Sequence, residues 1–215
     1  MPSPSPGRPS PVYRPLAFGV LFRSMTPSVT RRLRVSFVAL LLANGPALGV
    51  AAQGANTIVI VVRHAEKAAA PANDPPLTNA GVARAKALAA ALADANVQAI
   101  ISTPTVRTRE TARPTAEARR LPVETIRLGT VAEQAKAVAE AVRKHAGKTI
   151  LVVGHSNTVG AIIGALGGPR VPDLCDTQYA NLFTVILDGR TATLVRSTYG
   201  APSPDPGEGC LNQMP

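Results

Sequence analysis

The sequence predicts an α/β fold, with a mainly parallel central sheet, helices on both faces and an antiparallel hairpin at the C-terminal end. Three observations carry this expectation. Short apolar runs alternate along the chain with longer segments of helical period. Two of the runs, 57–62 and 149–153, hold only Val, Ile and Leu after an initial Thr, as strands buried on both faces of a parallel sheet do. The last two runs, 181–187 and 191–197, alternate in polarity and are joined by Asp188-Gly189-Arg190, a hairpin signal.

The folded domain is expected over 53–215. Ahead of it, 1–24 is rich in Pro and Ser, a composition that predicts no packed element. From Met25 the pattern changes. Arg31, Arg32 and Arg34 precede an apolar run at 35–43, and small residues follow at 47–52. Basic, then apolar, then small is the layout of a secretory signal peptide over 25–52, with cleavage expected after Ala52. The apolar run is short for a transmembrane helix. The segment 1–24 would be odd ahead of such a signal, so Met25 is the expected start. This reading predicts an exported protein, periplasmic or secreted, with no stable membrane span after cleavage.

Charge follows the same division. The formal net charge is +10, yet 1–52 holds six Arg and no acid, whereas 53–215 holds 17 Lys or Arg against 13 Asp or Glu. Much of the basicity therefore falls outside the domain, and no Lys/Arg run is interleaved with aromatics, so no nucleic-acid partner is expected. Aromatics are only 3% of the chain, so the core is expected from Ala, Val, Leu and Ile. Cys175 and Cys210 both stand in loop-like sequence. In an oxidising compartment they are expected to pair and to tie the C-terminal tail to the loop after Arg170.

The elements follow in order. The strand 57–62 breaks into Arg63-His64-Ala65-Glu66-Lys67 and a Pro-rich loop. Thr78 is the expected N-cap of a first helix, with Val82, Ala85, Leu88, Ala89 and Leu92 at helical spacing. A short strand at 99–101 ends at Ser102. A second helix begins near Arg107, with Pro114 expected to start a new turn or kink it. A brief strand is expected at 123–126. A third helix spans 131–145, with Val131, Ala135, Val138 and Val142 on one face and Gly147 beyond its end. The strand 149–153 runs into Gly154-His155-Ser156, and a last helix spans 158–166 before Gly167-Gly168-Pro169.

The chain has three histidines, and two of them, His64 and His155, directly follow apolar strands. Strand ends are where open α/β sheets bind ligands. His145 falls at a helix end and is expected to be a surface residue. Zinc needs three or four ligands; the HAE sequence lacks the spacing of a zinc helix and the cysteines are remote, so no metal and no cofactor are expected. Gly154-His155-Ser156-Asn157-Thr158 resembles the start of a nucleophile elbow, which would make Ser156 an esterase nucleophile. Its fifth residue is Thr158 rather than Gly, however, and no His follows residue 155 as that fold's triad order requires. The remaining chemistry is an imidazole nucleophile among cations. A neutral His can attack phosphorus, and Arg63, Arg107 and Arg109 stand at strand ends where a guanidinium fork would suit phosphate oxygens.

Four motifs in order resemble the histidine phosphatase superfamily, the phosphoglycerate-mutase-like three-layer fold. Arg63-His64-Ala65-Glu66 is similar to its RHG/RHA signature, Leu77-Thr78-Asn79-Ala80-Gly81 to its LTxxG helix start, 102–112 to its SxxxRxxxTA segment through Arg107, Thr111 and Ala112 with Ser102 one residue further away, and Gly154-His155-Ser156 to its second-histidine motif. The resemblance implies a phosphomonoester hydrolase acting through a phospho-histidine on His64. It implies that Arg63, Arg107 and His155 bind the phosphoryl group, with Arg107 rather than Arg109 at the family position. Asn157 is a further candidate donor, and Glu66 is expected to orient the loop. Glu124 and Glu133 are the candidate general acids, because many family members place that acid between the two histidine motifs. The implied substrate is a small-molecule or envelope-borne phosphomonoester. A non-catalytic phosphate-binding protein of the same fold is the alternative.

Overall fold

The computed structural model describes residues 55–204. The extension expected at 1–24 and the signal expected at 25–52 lie outside them, as does Cys210. Ten elements follow one another: β1 (Thr57–Arg63), α1 (Asn79–Ala91), β2 (Val97–Ser102), α2 (Val106–Arg119), β3 (Val123–Thr125), α3 (Val131–Lys144), β4 (Thr149–Gly154), α4 (Val159–Ala165), β5 (Asn181–Leu187) and β6 (Ala192–Thr198). They form one sheet of order β3-β2-β4-β1-β5-β6. The first four positions in that order are parallel, whereas β5 and β6 run antiparallel.

The alternation of β1 explains the layers. Val59 and Val61 face one core, with Val138 and Val142 of α3 and Ile162 and Ile163 of α4. Ile60 and Val62 face the other, with Leu88 of α1 and Ala112 and Ala116 of α2. Successive strand side chains point to opposite faces, so a continuous Val/Ile run supplies both cores at once. Each such side chain, fully buried, stabilises the fold by about 1.5–3 kcal/mol. The two expected faces, sheet type and terminal hairpin are all present. Boundaries differ slightly: β2 begins at Val97, and α2 continues through Pro114 as one helix.

Sheet order decides what meets at the ligand-binding edge. β1 lies beside β4 with Arg63 opposite Gly154. The residues just beyond each strand, His64 and His155, therefore come to neighbouring positions. Because β5 is antiparallel to β1, with Val62 opposite Leu182, its N-terminal end lies at this same edge. The loop preceding β5 is thereby delivered to the histidines.

Helix α1 is anchored to that edge by its start. Thr78 caps it, accepting from the Gly81 N–H at 3.1 Å, while the Thr78 N–H donates to the Glu66 carbonyl at 2.9 Å. A Cβ on Gly81 would lie 2.2 Å from that same carbonyl oxygen, so a side chain there must displace the turn after His64. Gly81→Ala is expected to destabilise the protein by about 3 kcal/mol, the upper end of overpacking costs. A urea midpoint equal to that of the wild type would contradict this.

Candidate active site

His64 is 3% exposed, and its Nδ1 lies 2.8 Å from the Ala65 carbonyl oxygen. A carbonyl only accepts, so Nδ1 carries the proton of the neutral ring and Nε2 keeps its lone pair. The turn holding this ring is fastened to α2: the Ala65 N–H donates to Thr111 Oγ1 at 2.9 Å, and that hydroxyl donates to the Arg107 carbonyl at 2.7 Å. One threonine thus couples the turn after β1 to the helix that carries Arg107. Burial, reinforced by Arg63, His155 and Arg107, pushes the His64 pKa down to about 3.

His155 stands edge-on to His64, with ring centroids 5.5 Å apart. Its Nε2 is 2.9 Å from Thr103 Oγ1, which is bonded in turn to Thr108 at 2.9 Å. Its backbone N–H is held by Thr158 Oγ1 at 2.9 Å. Burial, then Arg107 and Arg63, lowers its pKa to about 4. Both rings are therefore neutral near pH 7, as a nucleophile requires and as two flanking guanidiniums demand.

Arg63 is 2% exposed. Its Nη1 donates to the carbonyls of Cys175 (2.7 Å), Asp176 (3.2 Å) and Gln178 (3.3 Å), all in the loop before β5. Its guanidinium stacks 4.2 Å from the centre of the Tyr179 ring, which also neighbours His64. Among the described residues the Arg107 side chain makes only a 3.5 Å contact, from Nη1 to Asp74 Oδ1. The Nε atoms of both arginines are buried and have no hydrogen-bond partner among the described residues. Orphaned buried donors are costly, more so on charged groups. Two of them occur here, on the two arginines whose charges act on both imidazoles.

The four residues expected to converge do so. Asn157 is exposed in the turn before α4 and bonds to none of them. Ser156 is next to His155, yet that imidazole is bonded to Thr103 rather than to the serine hydroxyl. The two expected acids are engaged elsewhere. Glu133 completes a capping box with Thr130 at the start of α3, fully exposed, and the Thr130 backbone N–H holds its carboxyl below the usual range. Glu124 pairs with His145 at 3.0 Å. Glu66 holds the loop, as expected: its carboxylate takes Arg84 Nε and Nη2 at 2.8–3.0 Å. Cys175 is held in a disulfide, and the pairing expected with Cys210 falls outside the described residues. No three His, Cys, Asp or Glu side chains gather as metal ligands among the described residues.

Two residues were not anticipated. Asp74 accepts from the Val106 N–H at 2.9 Å while facing Arg107; its signal was being the sole acid in the loop 68–76. Arg84, 4% exposed, joins Glu66 to the carbonyls of Tyr199 and Ala201 beyond β6. Tyr179, in the loop before β5, carries Arg63 on its ring.

Residues 59–128 match the histidine phosphatase superfamily, branch 1. That span contains Arg63, His64 and Arg107 and stops short of His155, which the β1–β4 pairing brings in. The chain has the fold of solved histidine phosphatases. The protein histidine phosphatase SixA, solved with tungstate, aligns with a TM-score of 0.54 at 20% identity, over 66% of this chain and 96% of that one. YhfR of Bacillus stearothermophilus aligns at 0.52 and 21% identity, over 65% and 95%. A mycobacterial glucosyl-3-phosphoglycerate phosphatase aligns at 0.52 and 14%, over 68% and 100%. No curated protein matches the chain in sequence.

The neutral histidines of this histidine phosphatase fold carry a consequence for stability. Both pKa values are depressed from 6.5, to about 3 and about 4. Below pH 6.5 the unfolded chain binds protons that the folded site refuses. Their contribution is therefore fully present above that pH and is lost as pH falls towards the folded values. Between roughly pH 6 and 4 the loss should approach about 2.7 kcal/mol per pH unit, for two protons at 1.36 each. Urea unfolding at pH 7 and pH 5 checks this, and unchanged stability at pH 5 would contradict it.

Proposed function

We propose that the protein is a phosphomonoester hydrolase acting through a covalent phospho-histidine on His64. The single observation that carries this is the Nδ1–Ala65 hydrogen bond, which leaves Nε2 of a buried neutral imidazole as nucleophile between two guanidiniums with unmet donors. Arg63, Arg107 and His155 bind the phosphoryl oxygens and stabilise the charge they gain in transfer. Nε2 attacks phosphorus as the bond to the leaving oxygen breaks, so an N–P bond replaces a P–O bond. Water then attacks phosphorus, the N–P bond breaks, and inorganic phosphate departs with the imidazole restored. An aryl leaving group departs as the phenolate and needs no donated proton.

The phosphatases that share this fold and the family match over 59–128 support the reading. Asn157 is retained as a rim donor to substrate, reachable from its exposed turn. Export through 25–52 is part of the same proposal and makes the substrate an envelope or extracellular phosphomonoester. No helix among the described residues is long and apolar enough to cross a membrane. The test is phosphate release from phenyl phosphate by the full chain, with and without vanadate. Vanadate-sensitive release supports the proposal. Tight vanadate binding without release would instead favour the non-catalytic phosphate-binding alternative.

A further inference from the structure

We infer that the cleft between α2 and β3 is a subsite for a negatively charged leaving group. The preferred substrates are then phosphomonoesters that carry a second anion, carboxylate or phosphate, on the group that departs. This rests on the phosphatase reading and names its substrate class.

The cleft encloses about 540 Å³. Val106, Arg109, Glu110 and Arg113 form one wall at helical spacing, and Val123 and Thr125 form the other. Two of its lining residues, Val106 and Thr125, are linked to Arg107 and His155. Val106 immediately precedes Arg107, and its N–H is held by Asp74, the carboxylate that faces Arg107. On the opposite wall, Thr125 is in register with Ser102, and the next residue, Thr103, bonds His155. A phosphoryl group held by Arg107 and His155 would therefore have its departing group directed along this cleft.

The charges lining the cleft select what departs. Glu110 is occupied, its Oε2 accepting from the Leu77 N–H at 2.8 Å. Arg113 has only a 4.0 Å contact with Glu117, both well exposed. Arg109 makes no ion pair with any described residue. Two guanidiniums thus stand against one engaged carboxylate, in a concavity whose other walls are Val106, Ala116 and Val123. A guanidinium fork binds carboxylate or phosphate oxygens in two parallel hydrogen bonds, and an apolar surround strengthens them.

The experiment compares 4-carboxyphenyl phosphate with phenyl phosphate on the full chain, as wild type and as the double variant Arg109→Gln/Arg113→Gln. The wild type is expected to favour the carboxylate ester in kcat/KM, and the double variant to reduce that preference by about tenfold, the scale of one charge-assisted hydrogen bond. Added salt should erode the wild-type preference because the arginines are open to water. If the variant changes both substrates in the same proportion, or the preference ignores salt, the subsite is refuted. If the wild type turns over neither ester, the hydrolase reading falls instead. Calorimetric affinities for the same two compounds then read the subsite alone, and equal wild-type affinities would overturn it.

Discussion

The His64→Ala variant is expected to lose phosphomonoester turnover by at least about 10⁴-fold, the scale seen when a covalent nucleophile is removed from an otherwise intact site. It should nevertheless still bind an oxyanion. Arg63 is held by three carbonyls of the loop before β5, Arg107 by Asp74, and His155 by Thr103, and none of these contacts passes through the His64 ring. Vanadate titration of the variant separates the two functions. Turnover within tenfold of the wild type would remove His64 as nucleophile. Loss of both turnover and vanadate binding would point to a collapsed site, and the urea midpoint of the variant would register that collapse.

Arg107→Ala is expected to lower kcat by about 10²–10³-fold, as loss of one preorganised donor to a developing charge does. This arginine is the better one to remove. Among the described residues its side chain makes a single long contact, to Asp74, so its loss leaves little unpaired. Truncating Arg63 would instead strand the carbonyls of Cys175, Asp176 and Gln178 and mix folding with function. Arg107→Lys should recover only part of the loss, because an ammonium keeps the charge and lacks the planar fork. A kcat for Arg107→Ala within threefold of the wild type would exclude it from the transition state.

How legible the site was depends on how local each signal is. Arg63, His64 and His155 each follow an apolar strand, and the break from Val/Ile to polar residues marks a sheet edge without any tertiary information. Arg107 needed the spacing of the segment 102–112, and Thr111 in that segment turns out to bond the turn after His64. Gly81 was legible as part of a motif. Its physical reason, the 2.2 Å approach to the Glu66 carbonyl, was not, because the two residues meet only once α1 has docked.

The unanticipated residues fail in the opposite way. Arg84 occupies the buried face of α1 with Gly81, Ala85 and Leu88, where periodicity sees only a missing apolar residue. Its partners, Glu66 and the chain after β6, come together solely because β6 ends at the histidine edge. Tyr179, by contrast, is a polar residue of the loop that the reversed direction of β5 delivers to Arg63. Glu124 and Glu133 were chosen for lying between the histidine motifs in sequence. One is drawn to His145 and the other to its own helix N-terminus, where a capping box lowers its carboxyl pKa.

The proposed covalent bond between His64 Nε2 and phosphorus can be trapped during turnover. The full chain is mixed with phosphorus-labelled phenyl phosphate, quenched in alkali within the first turnover, digested and mapped. Acid-labile, alkali-stable label is expected on the peptide that contains His64, and none in His64→Ala. Turnover without any protein-bound phosphate, or with label on Ser156 or His155, would contradict it.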